Sequence, residues 1–492
     1  MKKSIISLVV FMMTTLGAFA GGILTNTNQS VLFLKNPARD AAIGLDGVYS
    51  NPAGVVFLPE GFHIAFNWQY AHQTRTINST SPVYALGKKN NGSDNKIFEG
   101  VADAPIIPSL QAAWNKGNWS VQFNFSVPGG GGSCEFADGL GSFERVVGSL
   151  ASMLQPLGAQ GYDMDGYMKG RQYFYGIQLG AAYKINPNFS VYGGLRLLYG
   201  DATYKAKISN IQVKTEAGYV DFADFLQNSS TTVNNGLDQV NAGIAQYEAA
   251  GVPVPAELLA QQAQLEGTKQ SLTYLQKYAQ GVNLLCNQDG VGIAPIIGVD
   301  YKVGNFNFAA KYEFKTQIRM KNESTVFEAS EINAVNKYKD GEKVNEDAPA
   351  LLTIGAQWKP IDAVSLNFGW HHYFDKDASW YNNAQDLLKN NTNEFLAGIE
   401  WDVTDKLNVS AGTQITRYGL SDDYMNDMSF VVNSYSIGLG FSYKVKDNIT
   451  LTAAYFQTNY SDYNKVVTES IPVNETFTRT NRVLGIGCQV DF

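Results

Sequence analysis

Asn118-Trp119-Ser120-Val121-Gln122-Phe123-Asn124-Phe125-Ser126-Val127 alternates apolar and polar residues along its whole length. Successive side chains of a strand point to opposite faces. One face here carries Trp119, Val121, Phe123, Phe125 and Val127, and the other carries Ser120, Gln122, Asn124 and Ser126. Phe62-His63-Ile64-Ala65-Phe66-Asn67-Trp68 repeats the pattern. A soluble sheet packs its apolar face on another layer, whereas a membrane barrel turns that face to lipid and its polar face to the lumen.

Fourteen segments carry this patterning, near 61–75, 106–116, 118–128, 172–185, 188–207, 290–303, 305–319, 348–359, 362–374, 393–403, 405–418, 430–445, 448–460 and 479–492. The connections between them alternate too. The tight ones are Lys116-Gly117-Asn118, Asn186-Pro187, Gly304, Pro360-Ile361, Thr404-Asp405 and Lys446-Asp447-Asn448, all with turn chemistry. The long ones lie near 76–105, 129–171, 208–289, 320–347, 375–392, 419–429 and 461–478. An even strand number with short turns on the periplasmic rim and long loops on the other describes an outer-membrane barrel. The expected fold is all-β: a transmembrane antiparallel β-barrel of about 14 strands over 61–492, with helix-bearing outer loops near 129–171 and 208–289.

Composition agrees. Mean hydropathy is −0.17 although 45% of residues are apolar, as interleaving requires. Charged residues make up 17%, below the roughly 25% of soluble domains. A net charge of −8 without a Lys/Arg cluster argues against nucleic acid, and three cysteines are too few for a disulfide scaffold. Met1-Lys2-Lys3, the apolar run Ile5 to Met13 and Ala18-Phe19-Ala20 read as a signal peptide over 1–20. With no Cys after the cleavage site, a lipid anchor is not expected. The compartment expected is the outer membrane of a Gram-negative bacterium.

Trp114, Trp119, Tyr183, Tyr301, Trp358, Trp401 and Tyr443 share the outward phase, one to three residues from a tight turn. They read as a girdle at headgroup depth, with Trp68, Tyr70, Tyr173, Tyr199, Tyr312, Trp370 and Tyr455 as its outer counterpart. The last strand puts Leu484, Ile486, Cys488, Val490 and Phe492 outward, and a terminal aromatic there is similar to the signal read by the barrel-insertion machinery.

Residues 21–60 break the strand pattern and contain Asn36-Pro37-Ala38 and Asn51-Pro52-Ala53-Gly54. The run Ala42 to Gly54 resembles the N-terminal hatch of the FadL/TodX family, outer-membrane transporters of long-chain fatty acids and other hydrophobic compounds. The resemblance implies a small plug in a fourteen-stranded barrel, with Asn51, Pro52, Ala53 and Gly54 in the hatch motif. Fourteen strands fall between the filled eight-stranded barrel and the open porin, so a bore of this size needs a stopper. The family's kinked third strand, which opens the wall sideways, maps onto Pro128, Gly129 and Gly130; alternatively this run only begins the loop at 129–171. The family's apolar capture groove maps onto two helical patterns. One is Phe143, Val146, Val147, Leu150 and Leu154; the other is Leu265, Leu272, Leu275, Ala279, Val282 and Leu285. Packing between the loop helices explains the same stripes.

Arg196, Lys311, Glu313, Lys315 and Asp300 are inward-phase charges. A fatty-acid carboxylate calls for a cation in a partly dry lumen. Arg196, with no inward acid near it in sequence, is the first choice and Lys311 the second. Cys134 and Cys286 fall in the outer loops, either bonded to each other or as two thiols. His371 and His372 point to opposite faces and cannot share a metal. No catalytic, metal or cofactor motif occurs, so no catalytic residue, metal site or cofactor is expected. The expected partners are a hydrophobic small molecule, outer-membrane lipid and the insertion machinery. The function expected is passive uptake of hydrophobic molecules by loop capture, a lumen site and lateral release. The rivals are a gated porin for polar or hemin-like solutes and a surface-binding or adhesion barrel.

Overall fold

The computed structural model describes residues 29–327, 333–468 and 471–492; the signal segment 1–20 and the plug residues up to 28 lie outside these. Fourteen strands form the wall. The first seven are β1 (Gly61–Thr80), β2 (Asn95–Lys116), β3 (Trp119–Phe136), β4 (Gly161–Asn186), β5 (Phe189–Thr215), β6 (Val282–Val303) and β7 (Phe306–Glu313). The rest are β8 (Leu351–Ile361), β9 (Val364–Tyr373), β10 (Thr392–Asp402), β11 (Leu407–Arg417), β12 (Ser434–Lys446), β13 (Ile449–Tyr460) and β14 (Val473–Asp491). Each is antiparallel to its neighbours, and β14 closes on β1 from His63 opposite Asp491 to Thr80 opposite Asn474. Four short segments, Gly218–Asp221, Arg319–Phe327, Lys343–Asn345 and Tyr463–Val467, extend the same sheet at its outer end.

The side-chain alternation sorts as lipid requires. Phe66 is 55% exposed on the outside, whereas its neighbour Asn67 is buried inside. All seven aromatics of the periplasmic girdle are exposed, and Trp119 packs on Tyr183 across the β3–β4 ladder with ring centroids 4.7 Å apart. The tight turns use left-handed glycine where they must, Gly117 at φ 58° and Gly304 at φ 55°.

Several strands run farther outward than their patterning indicates. β2 starts at Asn95 rather than 106, β3 ends at Phe136 rather than 128, β4 starts at Gly161, β5 ends at Thr215 and β6 starts at Val282. Above the bilayer no face meets lipid, so stretches such as Lys205 to Lys214 lose the apolar phase while keeping the ladder. The outer loops shrink accordingly. The one after β3 holds helix α2 (Gly141–Met153), and the one after β5 holds the antiparallel pair α3 (Phe222–Ala249) and α4 (Ala256–Leu275). Val282 and Leu285 are strand residues of β6, not part of a loop helix.

Cys134 and Cys286 also lie on strands rather than in loops, and both are free buried thiols. They sit in one cross-strand row, Cys134–Gly170–Tyr204–Cys286, with β4 and β5 between them. Three strand spacings of roughly 4.8 Å put them well beyond disulfide reach.

Candidate functional site

Residues 29–58 fill the inner half of the lumen as helix α1 (Val31–Lys35) and two 3₁₀ turns, Leu45–Val48 and Gly54–Phe57. Ser30 caps α1 by accepting from Leu32 N at 3.1 Å. The two Asn-Pro-Ala motifs do parallel jobs. Asn51 Oδ1 accepts from Gly54 N at 3.2 Å while its Nδ2 donates to Asp300 Oδ2 on β6 at 2.6 Å. Asn36 Oδ1 accepts from Ala38 N at 3.1 Å while its Nδ2 donates to Glu400 Oε1 on β10 at 3.3 Å. Each asparagine thus closes a local turn and docks it on a wall carboxylate. The carbonyls of Pro52 and Ala53 accept from Gln122 Nε2 and Ser190 Oγ, both at 2.7 Å.

The opposite wall supports the segment by lacking side chains. Gly398, Gly412 and Gly438 are register neighbours across β10, β11 and β12, and Gly355 pairs with Gly369 across β8 and β9. A Cβ at Gly398 would overlap the Asn36 amide, and one at Gly369 would overlap the Asp40 carboxylate. Asp40 also accepts from His371 Nε2 at 2.9 Å, and the other ring nitrogen of His371 faces Glu394 Oε2 at 2.9 Å. His371 therefore tethers the luminal segment to the wall.

Arg196 and Lys311, the cations expected to face a ligand, are already engaged. Both meet Glu313: Arg196 in a buried ion pair, and Lys311 Nζ at 2.6 Å from its Oε1. Arg196 Nη2 also donates to Gln178 Oε1 at 2.7 Å, and Lys311 to the Tyr49 carbonyl at 2.8 Å. The absence of an acid near Arg196 in sequence does not carry over to space, because β7 brings Glu313 across. These cations hold Tyr49 and the luminal segment in place.

The wall itself is interrupted beside α1. The β2–β3 ladder pairs Asp103 with Ser133 and resumes only at Leu110 with Phe125. Pro105 and Pro108 lie in the unpaired stretch of β2, and Pro128 with Gly129 to Gly132 in that of β3. Prolines remove ladder donors, and Gly130 and Gly132 take φ values of 104° and 70° that other residues avoid. The glycine run is therefore a distortion within β3, not the start of a loop. Ile106, in the unpaired stretch of β2, is 68% exposed towards lipid. On the lumen side Gln29 covers the gap: its Nε2 donates to the Val127 carbonyl at 3.3 Å, and its own carbonyl accepts from the Ser109 hydroxyl. The prolines of β2 were the missed sequence signal, two donors absent from one short strand segment.

Beside the gap, Val31, Leu34, Ala71, Ala104, Ala454, Phe456 and Val483 make an apolar cluster, with Phe33 and Ile107 packed on it. Between the luminal segment and the wall, a cavity lined by Phe33, Tyr49, Lys311, Thr353 and His371 has about 40 Å³ of room for water centres. That volume suits a few waters at roughly 10–15 Å³ each, not a long ligand. The outer half of the bore is packed as well. Leu150, Leu154, Leu272, Leu275 and Val282 are all buried in one cluster reaching from Ile77 on β1 to Leu351 on β8 and Tyr373 on β9. They form the core of a cap and not an open groove.

No family model matches the chain, and no curated protein is similar to it by sequence. Solved structures are. It superposes on a FadL homologue of Pseudomonas aeruginosa with a TM-score of 0.61 at 12% identity, covering 96% of this chain and 99% of that one. The chain has the FadL-type fold. It also superposes on the P. putida toluene transporter TodX, TM-score 0.51 at 13% identity, covering 91% and 94% of the two chains. The Ralstonia pickettii toluene transporter TbuX gives a TM-score of 0.50 at 13% identity over 97% and 99%. In this chain the FadL-type fold carries the paired asparagine docks, the glycine cradle and the proline-broken gap.

Proposed function

We propose that this chain is an outer-membrane channel for passive uptake of hydrophobic small molecules, long-chain fatty acids among them, with exit through the β2–β3 gap. The observation that carries the reading is the unpaired stretch of wall, with lipid-facing Ile106 on one side and an apolar lumen cluster on the other. An apolar molecule leaving sideways keeps the roughly 25 cal/mol per Å² that it would lose on entering water. Residues 21–60 act as the hatch, anchored through Asn51, Pro52, Ala53 and Gly54. Pro128, Gly129 and Gly130 shape the lateral gate, and Gln29 is its inner seal. Capture begins at the outer loops, whose buried leucines must part to admit a ligand. The FadL homologue and the toluene transporters that share the fold are consistent with an apolar cargo.

The test restores the ladder. Pro108→Val/Pro128→Val/Gly129→Val returns two backbone donors and leaves the strained Gly130 untouched. In lipid vesicles this variant is expected to bring uptake of a fluorescent long-chain fatty acid down to the level of protein-free vesicles, while the heat-dependent gel shift of a folded barrel persists. Wild-type uptake rates in the folded variant would refute lateral exit. Vesicle swelling in sugars by the wild-type protein would favour a porin for polar solutes.

A further inference from the structure

Arg75 on β1 and Arg479 on β14 are direct cross-strand partners at the seam where the barrel closes. Both face the lumen, in phase with Ile77 and Phe477, which are fully buried. Directly opposed like charges destabilise a ladder. Yet among the described residues neither arginine has a carboxylate partner. Arg479 donates to the Phe430 carbonyl at 3.3 Å and to Gln73 Oε1 at 3.2 Å, and lies over the Tyr460 ring at 5.0 Å. These are neutral groups. The Nε atoms of both arginines are buried with nothing to donate to. The largest charge effect on Arg75 comes from Arg479, a like charge. The inward acid on the same face of β14, Glu475, is taken by Arg145. Every other buried cation described above has its anion; this pair has two charges and none.

The surroundings give the missing anion a shape. Ala71 on β1 and Val483 on β14 share the lumen face, each four residues towards the periplasm from its arginine, a step of roughly 13 Å at 3.3 Å per residue. Both belong to the apolar cluster that continues through Ala104 and Ile107 into the unpaired stretch of β2. Two cations thus stand at one end of an apolar cluster whose other end borders the wall gap. We propose that Arg75 and Arg479 bind the anionic head of a single-chain amphiphile whose tail lies towards the gap. The inference rests on the channel reading above and deepens it, since it separates acidic amphiphiles from neutral hydrocarbons as cargo.

Titration of the purified wild-type barrel with laurate, dodecyl phosphate and dodecanol, followed by vesicle uptake of each, tests it. Arg75→Gln/Arg479→Gln is expected to weaken laurate binding about ten- to a hundredfold, the cost of a lost charged hydrogen bond, and to leave dodecanol unchanged. Arg75→Lys/Arg479→Lys should recover most of the laurate affinity, which shows that the loss is one of charge and not of folding. Whether laurate or dodecyl phosphate binds more tightly to the wild type tells a free fatty acid from a phosphate-headed lipid; either order supports an anionic head. Equal laurate affinity in wild type and Gln variant, or equal losses of laurate and dodecanol, would overturn the site. If the wild type takes up none of the three, the channel reading itself fails; dodecanol uptake with laurate binding indifferent to the arginines removes only the head site.

Discussion

Asn51 shows how much one side chain contributes to the lumen. Its amide joins the Gly54 turn to Asp300 on β6, and Asn307 Nδ2 donates to the same carboxylate oxygen at 2.8 Å. A hydrogen bond to a charged group contributes about 1.5–3 kcal/mol, and truncation leaves Asp300 short of a donor inside the barrel. Asn51→Ala is therefore expected to lower hydrogen-exchange protection of amides 42–58 by about one to two orders of magnitude, with the wall strands unchanged. Unchanged protection over 42–58 would mean that the asparagine is not the dock. The motif was legible because Asn-Pro-Ala recurs at 36–38 and 51–53 just ahead of the first strand. Its partners were not, since Asp300 and Glu400 lie 249 and 364 residues away and only barrel closure brings them round. The same distance hid Glu313 from Arg196. Arg75 and Arg479 were hidden in the same way, at the two ends of the barrel sequence, until closure set β1 against β14.

Strands and loops were readable to different degrees. Where a strand crosses lipid, its apolar phase fixed its place; where it rises above lipid, as in β2 and β5, the phase fades and the boundary slips. The β2–β3 gap belongs to this scale too, since Pro105, Pro108 and Pro128 each remove one donor and only together open a wall. The connection between β9 and β10 makes a separate point. Asp375 there is buried and accepts from Thr392 N at 3.0 Å. Burial pushes its carboxyl up from 3.8 to about 6, against the opposing hydrogen bonds from Thr392. The folded loop thus holds this proton more tightly than the unfolded chain does. Its stabilising contribution is complete below pH 4 and is lost as pH rises through 6, at most about 3 kcal/mol in all. Amides 374–391 should accordingly become less protected from pH 4 to 7, after correction for intrinsic exchange rates. Asp375→Asn should abolish that trend, and a trend that survives the substitution would assign it to another group.

The bore is filled at two levels in series. The luminal segment occupies the periplasmic half, where Asn36, Asn51, Arg39 and Asp40 are each tied to a wall residue. The outer half is shut by a different device, a cap whose buried side chains meet across the bore from Ile77, Phe98 and Phe477 to Tyr373 and Trp380. The two are held separately. The inner stopper is tied to the wall by hydrogen bonds and ion pairs and by three small apolar clusters of its own, through Val31 and Leu34, Leu45 and Val48, and Ala53 and Val56. The cap is an apolar core, held by burial at roughly 25 cal/mol per Å². Removing the stopper should therefore leave the cap standing. A barrel deleted for residues 29–58 is expected to insert normally, keep its heat-dependent gel shift and show planar-bilayer conductance close to that of the intact protein. A large ohmic conductance after this deletion alone would mean that the cap does not close the bore. The hatch would then be the sole barrier between the medium and the periplasm.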